Sequence, residues 1–268
     1  MKNFSSSLLG FACFSLFLGA SSHVAAQQLP RATLSSVFPA GGQQGAILEV
    51  TVSGGDLDDS NKLTFSHPGI TAKQKLDEGG APVANRYNVT IGENVPVGFH
   101  DVRVGGGRFG VTNVRSFAVG DLPEIVSNGG TGLENAVEVK LGTVINGQAP
   151  SRNYAYYKVE LKKGQRVILS CLAKELDSKL EPVLVVKSSS GLELERSRSG
   201  EPIDFTPTAD GDYYLGLHDF IYGGGVSHVY RLSISERPHI DFVIPPAGQP
   251  GKSGKFTLYG RNLPGGVD

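Results

Sequence analysis

The chain has 268 residues, with 25 Lys and Arg against 26 Asp and Glu, for a formal net charge of −1 at pH 7. That balance excludes the basic field a nucleic-acid binder needs, and two cysteines exclude a disulfide scaffold and cysteine-rich metal sites. The 36 glycines and 15 prolines, with no tryptophan, describe short elements joined by many tight turns.

Lys2 precedes an apolar run over residues 8–18, followed by the polar Ser21-Ser22-His23 and the small pair Ala25-Ala26. This is the layout of a secretory signal peptide, residues 1–26, with Val24 and Ala26 supplying the small side chains at the cut. The run is far short of the ~20 apolar residues of a membrane-crossing helix. No membrane span is therefore expected, and the protein is expected in the periplasm, at the cell surface or outside the cell. Cleavage removes Lys2 and no acid, so the mature charge is 24 minus 26, or −2, over 242 residues. Cys13 leaves with the signal. Cys171, within Val167-Ile168-Leu169-Ser170-Cys171-Leu172, reads as a buried small hydrophobe, and no intrachain disulfide can form.

Residues 34–120 alternate with period two. Leu48-Glu49-Val50-Thr51-Val52, Phe99-His100-Asp101-Val102-Arg103-Val104 and Arg115-Ser116-Phe117-Ala118-Val119 each place one row of side chains in a core and the other toward solvent. Gly41-Gly42, Gly54-Gly55, Gly79-Gly80 and Gly105-Gly106-Gly107 separate them, which predicts antiparallel strands joined by tight turns. A boundary falls near Gly120, ahead of the flexible Ser127-Asn128-Gly129-Gly130-Thr131-Gly132.

The block over 123–236 carries strand patterns at Tyr154-Ala155-Tyr156-Tyr157-Lys158-Val159-Glu160-Leu161, at 166–172, at Val183-Leu184-Val185-Val186, at Tyr213-Tyr214-Leu215-Gly216-Leu217 and at Val229-Tyr230-Arg231-Leu232-Ser233-Ile234. Gly223-Gly224-Gly225 predicts a hairpin between the last two. With no helical crossover pattern between strands, the expected fold is all-β, built as tandem β-sandwiches.

At an offset of 206 the chain repeats itself. Val37-Phe38-Pro39-Ala40-Gly41-Gly42-Gln43-Gln44-Gly45 overlays Val243-Ile244-Pro245-Pro246-Ala247-Gly248-Gln249-Pro250-Gly251, and the register runs on to Leu57 over Leu263, with eight of 21 positions identical. Residues 237–268 therefore read as the opening strands of a second, truncated copy of the first block. So short a segment has too little surface to bury for a core of its own.

Residues 123–236 resemble the bacterial pre-peptidase C-terminal domain found in secreted proteases and large exported planctomycete proteins. The resemblance rests on Asn146-Gly147, Tyr156-Tyr157-Lys158-Val159 with Lys163-Gly164-Gln165-Arg166-Val167, Leu176-Asp177-Ser178-Lys179-Leu180-Glu181-Pro182-Val183-Leu184, Pro207-Thr208-Ala209-Asp210-Gly211-Asp212-Tyr213, and Tyr230-Arg231-Leu232. The flanking blocks resemble the immunoglobulin-like modules that accompany this domain. The resemblance implies a jelly-roll-like sandwich that supports attachment, solubility or processing of a neighbouring domain. Some related collagen-binding domains hold calcium through acidic residues. Here Pro150-Ser151-Arg152-Asn153 and Arg196-Ser197-Arg198-Ser199-Gly200 stand where relatives are acidic, and a hard cation repels arginine.

No HExxH, Gly-x-Ser-x-Gly or P-loop pattern occurs. His100-Asp101 and His218-Asp219 are strand neighbours, whose side chains leave opposite faces, so neither forms a catalytic dyad alone. Asp56, Asp58 and Asp59 form the densest acidic cluster and are the candidate calcium ligands, although no glutamate follows at EF-hand spacing and a solvated turn is the commoner outcome for such a cluster. Phe220 and Tyr222, before Gly223, are the candidate binding residues, because rigid aromatic rings dock a ligand at low entropic cost. The sequence thus reads as a non-catalytic binding, adhesion or spacer segment of an exported multidomain protein. Its expected partners are a protein, peptide or glycan at the cell surface and neighbouring domains of a longer chain. The alternative is an accessory domain of a secreted protease whose catalytic domain lies outside these residues.

Overall fold

The computed structural model describes residues 30–198 and 200–265. The expected signal segment, 1–26, lies outside them. Among the described residues the helical content is two single turns, Leu133–Asn135 and Lys174–Leu176, and the rest of the regular structure is strand.

The first block contains β1 (Thr33–Phe38), β2 (Gly41–Gln43), β3 (Ile47–Gly55), β4 (Lys62–Phe65), β5 (Ile70–Leu76), β6 (Pro82–Ile91), β7 (Gly98–Gly105) and β8 (Arg115–Gly120). They form two four-stranded sheets, ordered β1-β3-β6-β5 and β2-β8-β7-β4. Alternation turns Val102 and Val104 of β7 inward while Asp101 and Arg103 stay exposed. Val50, Tyr87 and Val89 from one sheet meet Val102, Val104 and Phe117 from the other in a single core. The buried Tyr87 hydroxyl donates to the Ser60 carbonyl at 3.2 Å, so its polar end is satisfied.

The second block contains β9 (Glu124–Val126), β10 (Val137–Glu138), β11 (Thr143–Gln148), β12 (Ala155–Leu161), β13 (Val167–Leu172), β14 (Pro182–Lys187), β15 (Glu193–Ser197), β16 (Ile203–Phe205), β17 (Gly211–Asp219) and β18 (Val229–Ser235). Two five-stranded sheets, β10-β12-β17-β14-β15 and β16-β13-β18-β11-β9, enclose a core that includes Tyr157, Leu184 and Leu217 from the first and Ile145, Leu169 and Leu232 from the second. Burial within that core pushes the Cys171 thiol far above its ordinary pKa, which removes it as a nucleophile.

Two expectations fail. The segment containing Gly223-Gly224-Gly225 does not close a hairpin, because β17 pairs with β12 and β14 while β18 pairs with β11 and β13. Turn residues specify a chain reversal but not which sheet the next strand joins, and this loop crosses from one sheet to the other. Nor are the sheets wholly antiparallel: β2–β8, β9–β11 and β10–β12 are parallel pairs. All three involve strands of two or three residues, which add short rungs to sheet edges where period-two patterning carries no signal.

The blocks pack against each other. Ala40 and Ala118 from the first share an apolar cluster with Leu176 and Val229 from the second, flanked by Phe38 and Leu172. Beside it Arg231, 4% exposed, donates from Nη2 to Glu124 Oε1 at 2.6 Å and from Nη1 to Glu124 Oε2 and Asn146 Oδ1, both at 2.9 Å. Asn146 Nδ2 in turn donates to Glu124 Oε2 at 2.7 Å. Gly41 closes the site from the first block: a Cβ there would stand 2.4 Å from Arg231 Nη1. Arg115 Nη1 donates to the Asp177 carbonyl at 2.8 Å, and the Ser116 amide donates to the Asp177 carboxylate at 3.0 Å.

After β18, β19 (His239–Ile244) and β20 (Thr257–Arg261) pair antiparallel as a two-stranded sheet.

Candidate functional site

The outward row of one sheet in the second block concentrates aromatic and cationic side chains. In β12 the core takes Ala155, Tyr157, Val159 and Leu161, so Tyr154, Tyr156 and Lys158 leave the other face. In β17 it takes Tyr213, Leu215 and Leu217, which turns Tyr214, Gly216 and His218 outward. The register aligns Tyr156 with Gly216, Gly216 with Val185, and Val185 with Arg196. Gly216 lets the rings lie flat across β17, because a Cβ there would stand 2.9 Å from Tyr156 Cε1 and 3.1 Å from Tyr154 Cδ1.

Tyr154 and Tyr156 stack with centroids 5.2 Å apart and planes 11° apart. The Lys187 ammonium lies 5.7 Å and 5.3 Å from these two rings and donates to the Tyr156 hydroxyl at 3.2 Å. His218 packs on Tyr154 at 4.4 Å and stacks on Tyr222 at 4.4 Å with planes 15° apart. Arg196 forms a bidentate pair with Glu193 at 2.7 and 2.6 Å, which raises its pKa further. The result is a continuous stripe from Tyr222 through His218, Tyr154 and Tyr156 to Lys187.

The loop that supplies Tyr222 is fixed from several sides. Asp219, itself buried, accepts the Glu181 amide at Oδ1 (2.9 Å) and the Ile221 and Gly223 amides at Oδ2 (3.1 and 2.9 Å). Burial alone would raise its pKa, but the three amides outweigh that and hold it below the usual aspartate value. Tyr222 adopts φ +58 and its carbonyl accepts the Arg152 amide at 2.9 Å. Gly224 abuts residues 150–151, with no room for a Cβ 2.3 Å from the Ser151 nitrogen. On this rigid frame Phe220 is 53% and Tyr222 42% exposed, with Ile221 and Val226 also open to solvent. The neighbouring Tyr154, first, and burial raise the Tyr222 pKa.

His218 is the buried polar group of the stripe. Desolvation lowers its pKa, so the ring is neutral near pH 7. Its Nδ1 lies 2.8 Å from the Asp219 backbone carbonyl, while Nε2 has no hydrogen-bond partner among the described residues. The Asp219 carboxylate serves loop amides instead, so the two residues do not form a dyad. His100 places Nε2 2.9 Å from the Pro96 carbonyl.

The acidic cluster is dispersed in its roles. Asp56 sits at φ +56 in the turn after β3. Asp59 Oδ2 accepts the Arg108 amide at 3.1 Å and its Nε at 3.0 Å, and these contacts hold the Asp59 carboxyl below its ordinary pKa. A cation at Asp59 would have to displace that guanidinium. Among the described residues no three His, Cys, Asp or Glu side chains converge to hold a metal ion.

Sequence reasoning offered Phe220 and Tyr222 as candidates; the structure places Tyr222 against His218 and Tyr154, and through them in line with Tyr156 and Lys187, which the sequence did not reveal. The available signal was the alternation of β12 and β17, which assigns Tyr154, Tyr156 and His218 to the same face once the strands are paired.

No family model matches the chain, and no curated protein matches it. Among solved structures it is distantly similar to the pre-peptidase C-terminal domain of a Bacillus anthracis collagenase (18% identity, 42% of this chain, 96% of that chain, TM-score 0.31). A second is a periplasmic inhibitor of g-type lysozyme from Aeromonas hydrophila (13%, 41%, 98%, 0.29). A third is a protein of the Bacteroides ovatus mixed-linkage glucan utilization locus solved with a mixed-linkage heptasaccharide (8%, 76%, 74%, 0.26). These likenesses are partial and concern the fold. Among the described residues no helix is long and apolar enough to cross a membrane.

Proposed function

We propose that this chain is a non-catalytic binding and spacer segment of an exported protein, an immunoglobulin-like block followed by a pre-peptidase C-terminal-like block, and that the aromatic stripe is its binding face. The supporting observation is the stripe itself: stacked tyrosines, a lysine over their rings and an exposed Tyr222 backed by His218, on a sheet face opposite the core. Tyr222 stacks on His218 and meets Tyr154 at 6.1 Å in a T-shaped contact, and the 42% of its surface that stays exposed is available to a ligand. Such a surface suits an extended polysaccharide. The C–H faces of a sugar ring pack on aromatic faces, and the Tyr154 hydroxyl, Lys187 and Arg196 provide polar partners for its hydroxyl groups. Preorganisation by the Asp219 contacts keeps the ordering cost low.

Affinity electrophoresis of the mature chain through gels containing soluble β-glucans, xylans or chitin-type polysaccharides tests this reading. At least one polymer should retard the protein, and Tyr222→Ala and Phe220→Ala should each cut the retardation several-fold while leaving the melting temperature in place. Equal mobility in every gel, or retardation indifferent to both substitutions, rejects the glycan face. The packing of the two blocks favours a spacer role in addition, since an apolar interface flanked by the Arg115 and Ser116 hydrogen bonds to Asp177 transmits orientation along the chain.

A further inference from the structure

The hairpin of β19 and β20 reproduces the first block's β1 and β3 residue for residue at the offset of 206. In β1–β3, Thr33 pairs with Gly55, Leu34 with Gly54, then after a register shift Ser36 with Ser53, Val37 with Val52 and Phe38 with Thr51. In β19–β20, His239 pairs with Arg261, Ile240 with Gly260, then after a shift at the equivalent place Phe242 with Tyr259, Val243 with Leu258 and Ile244 with Thr257. Gly54 and Gly260 are equivalent, and each lacks room for a Cβ against the carbonyl of Thr33 or His239. Asp56 and Asn262, also equivalent, both take φ +56.

What differs is the cover. Leu34, Val50 and Val52 are 1%, 0% and 1% exposed, whereas their counterparts Ile240, Phe256 and Leu258 are 52%, 45% and 50% exposed. Two segments also lose strand structure. Residues 47–50 are extended because β6 pairs with them, and 41–43 because β8 does. Their counterparts 253–256 and 247–249 lie outside any strand. The same sequence pattern is a strand where a partner supplies the hydrogen bonds and irregular where none does.

We infer that this hairpin is a docking surface for a further segment of the same polypeptide carrying strands of the type of β4 to β8. A strand like β6 pairs antiparallel with 253–257, a strand like β8 pairs parallel with 247–249, and their apolar rows cover Ile240, Val243, Phe256, Leu258 and Leu263. The occupant is assigned to the same chain because, in the first block, the strands that perform these contacts follow directly after β3. The inference stands independently of the glycan face.

A designed extension tests it: residues 1–263 continued directly with residues 58–120, so that the first block's own β4 to β8 complete the second copy. Hydrogen exchange read by mass spectrometry, dye binding and light scattering are compared with the 268-residue chain. In the latter, a monomer is expected, with amides of 253–256 exchanging at least about 100-fold faster than those of 47–50. In the extended chain the two sets should approach each other within about tenfold, and binding of a hydrophobic dye should fall. A second extended chain with Ile240→Leu and Phe256→Val restores the first block's core residues, in case the larger side chains prevent closure. Protection of 253–256 in the monomeric 268-residue chain overturns the inference, because the hairpin then needs no partner. Protection accompanying a dimer of that chain also overturns it, in favour of a second copy as occupant. Failure of both extended chains to protect 253–256 overturns it as well.

Discussion

Removing Glu124 should have a larger effect than removing any surface carboxylate, because it strands a buried guanidinium. The Arg231 side chain is 4% exposed and that of Glu124 10%, and the carboxylate accepts both guanidinium nitrogens as well as Asn146 Nδ2. Glu124→Ala leaves Arg231 with Asn146 Oδ1 as its remaining hydrogen-bonded partner in that network, under Gly41, with no space for it to swing toward the first block. Breaking a buried pair by deleting one partner costs about 3–5 kcal/mol, whereas replacing both partners by apolar groups is often neutral. For a unit of this size each kcal/mol lowers Tm by about 2–4 °C, so a fall of roughly 6–20 °C is expected. Urea titration of the mature chain followed by tyrosine fluorescence gives the free energy, and calorimetry gives Tm. The control is Glu49→Ala, which removes exposed contacts to Arg86 and Lys75 and should cost less than about 1 kcal/mol. The double variant Glu124→Leu with Arg231→Met should recover most of the loss. If Glu124→Ala costs no more than Glu49→Ala, or the double variant is no better than the single one, the buried pair does not stabilise the second block as described.

Three further outcomes follow from the stripe and its loop. Asp219→Ala removes a carboxylate that satisfies three amides and should cost about 2–3 kcal/mol. It should also speed hydrogen exchange at Ile221 and Gly223, and unchanged exchange there would contradict the assigned contacts. Gly216→Val drives side-chain atoms into the Tyr154 and Tyr156 rings and should abolish their stacking, read as a changed near-ultraviolet circular dichroism spectrum; an unaltered spectrum would refute the close approach. His218 has a folded pKa below its unfolded value, so the unfolded chain binds the extra proton first. Its contribution to stability is complete above about pH 6.5 and is lost as pH falls below that unfolded value toward the depressed folded one. Urea midpoints measured between pH 7.5 and 5 should therefore drop more steeply for the native chain than for His218→Asn, and parallel slopes would exclude this residue as the cause.

Period-two alternation and the placement of glycine determined, from sequence alone, that this is a β protein and which side chains of β3 and β7 face a core, because alternation is a local property of the extended backbone. The repeat was legible for a similar reason: the glycines and the left-handed turn position recur at the same offset and impose the same geometry on β19–β20 as on β1–β3. Sheet membership was not legible. Residues 223–225 have the composition of a hairpin turn, yet the flanking strands join different sheets, since that choice is made by which apolar rows can be buried together and not by the turn. The same holds for the aromatic stripe and for the buried ion pair. Tyr154, Tyr156, His218 and Tyr222 come from two strands and a loop, and become one surface when β12 pairs with β17. Glu124 and Arg231 are 107 positions apart and have no shared local pattern. Only tertiary packing, which pairs groups by desolvation and shape across the whole chain, puts a carboxylate beside that arginine and a bare glycine above it.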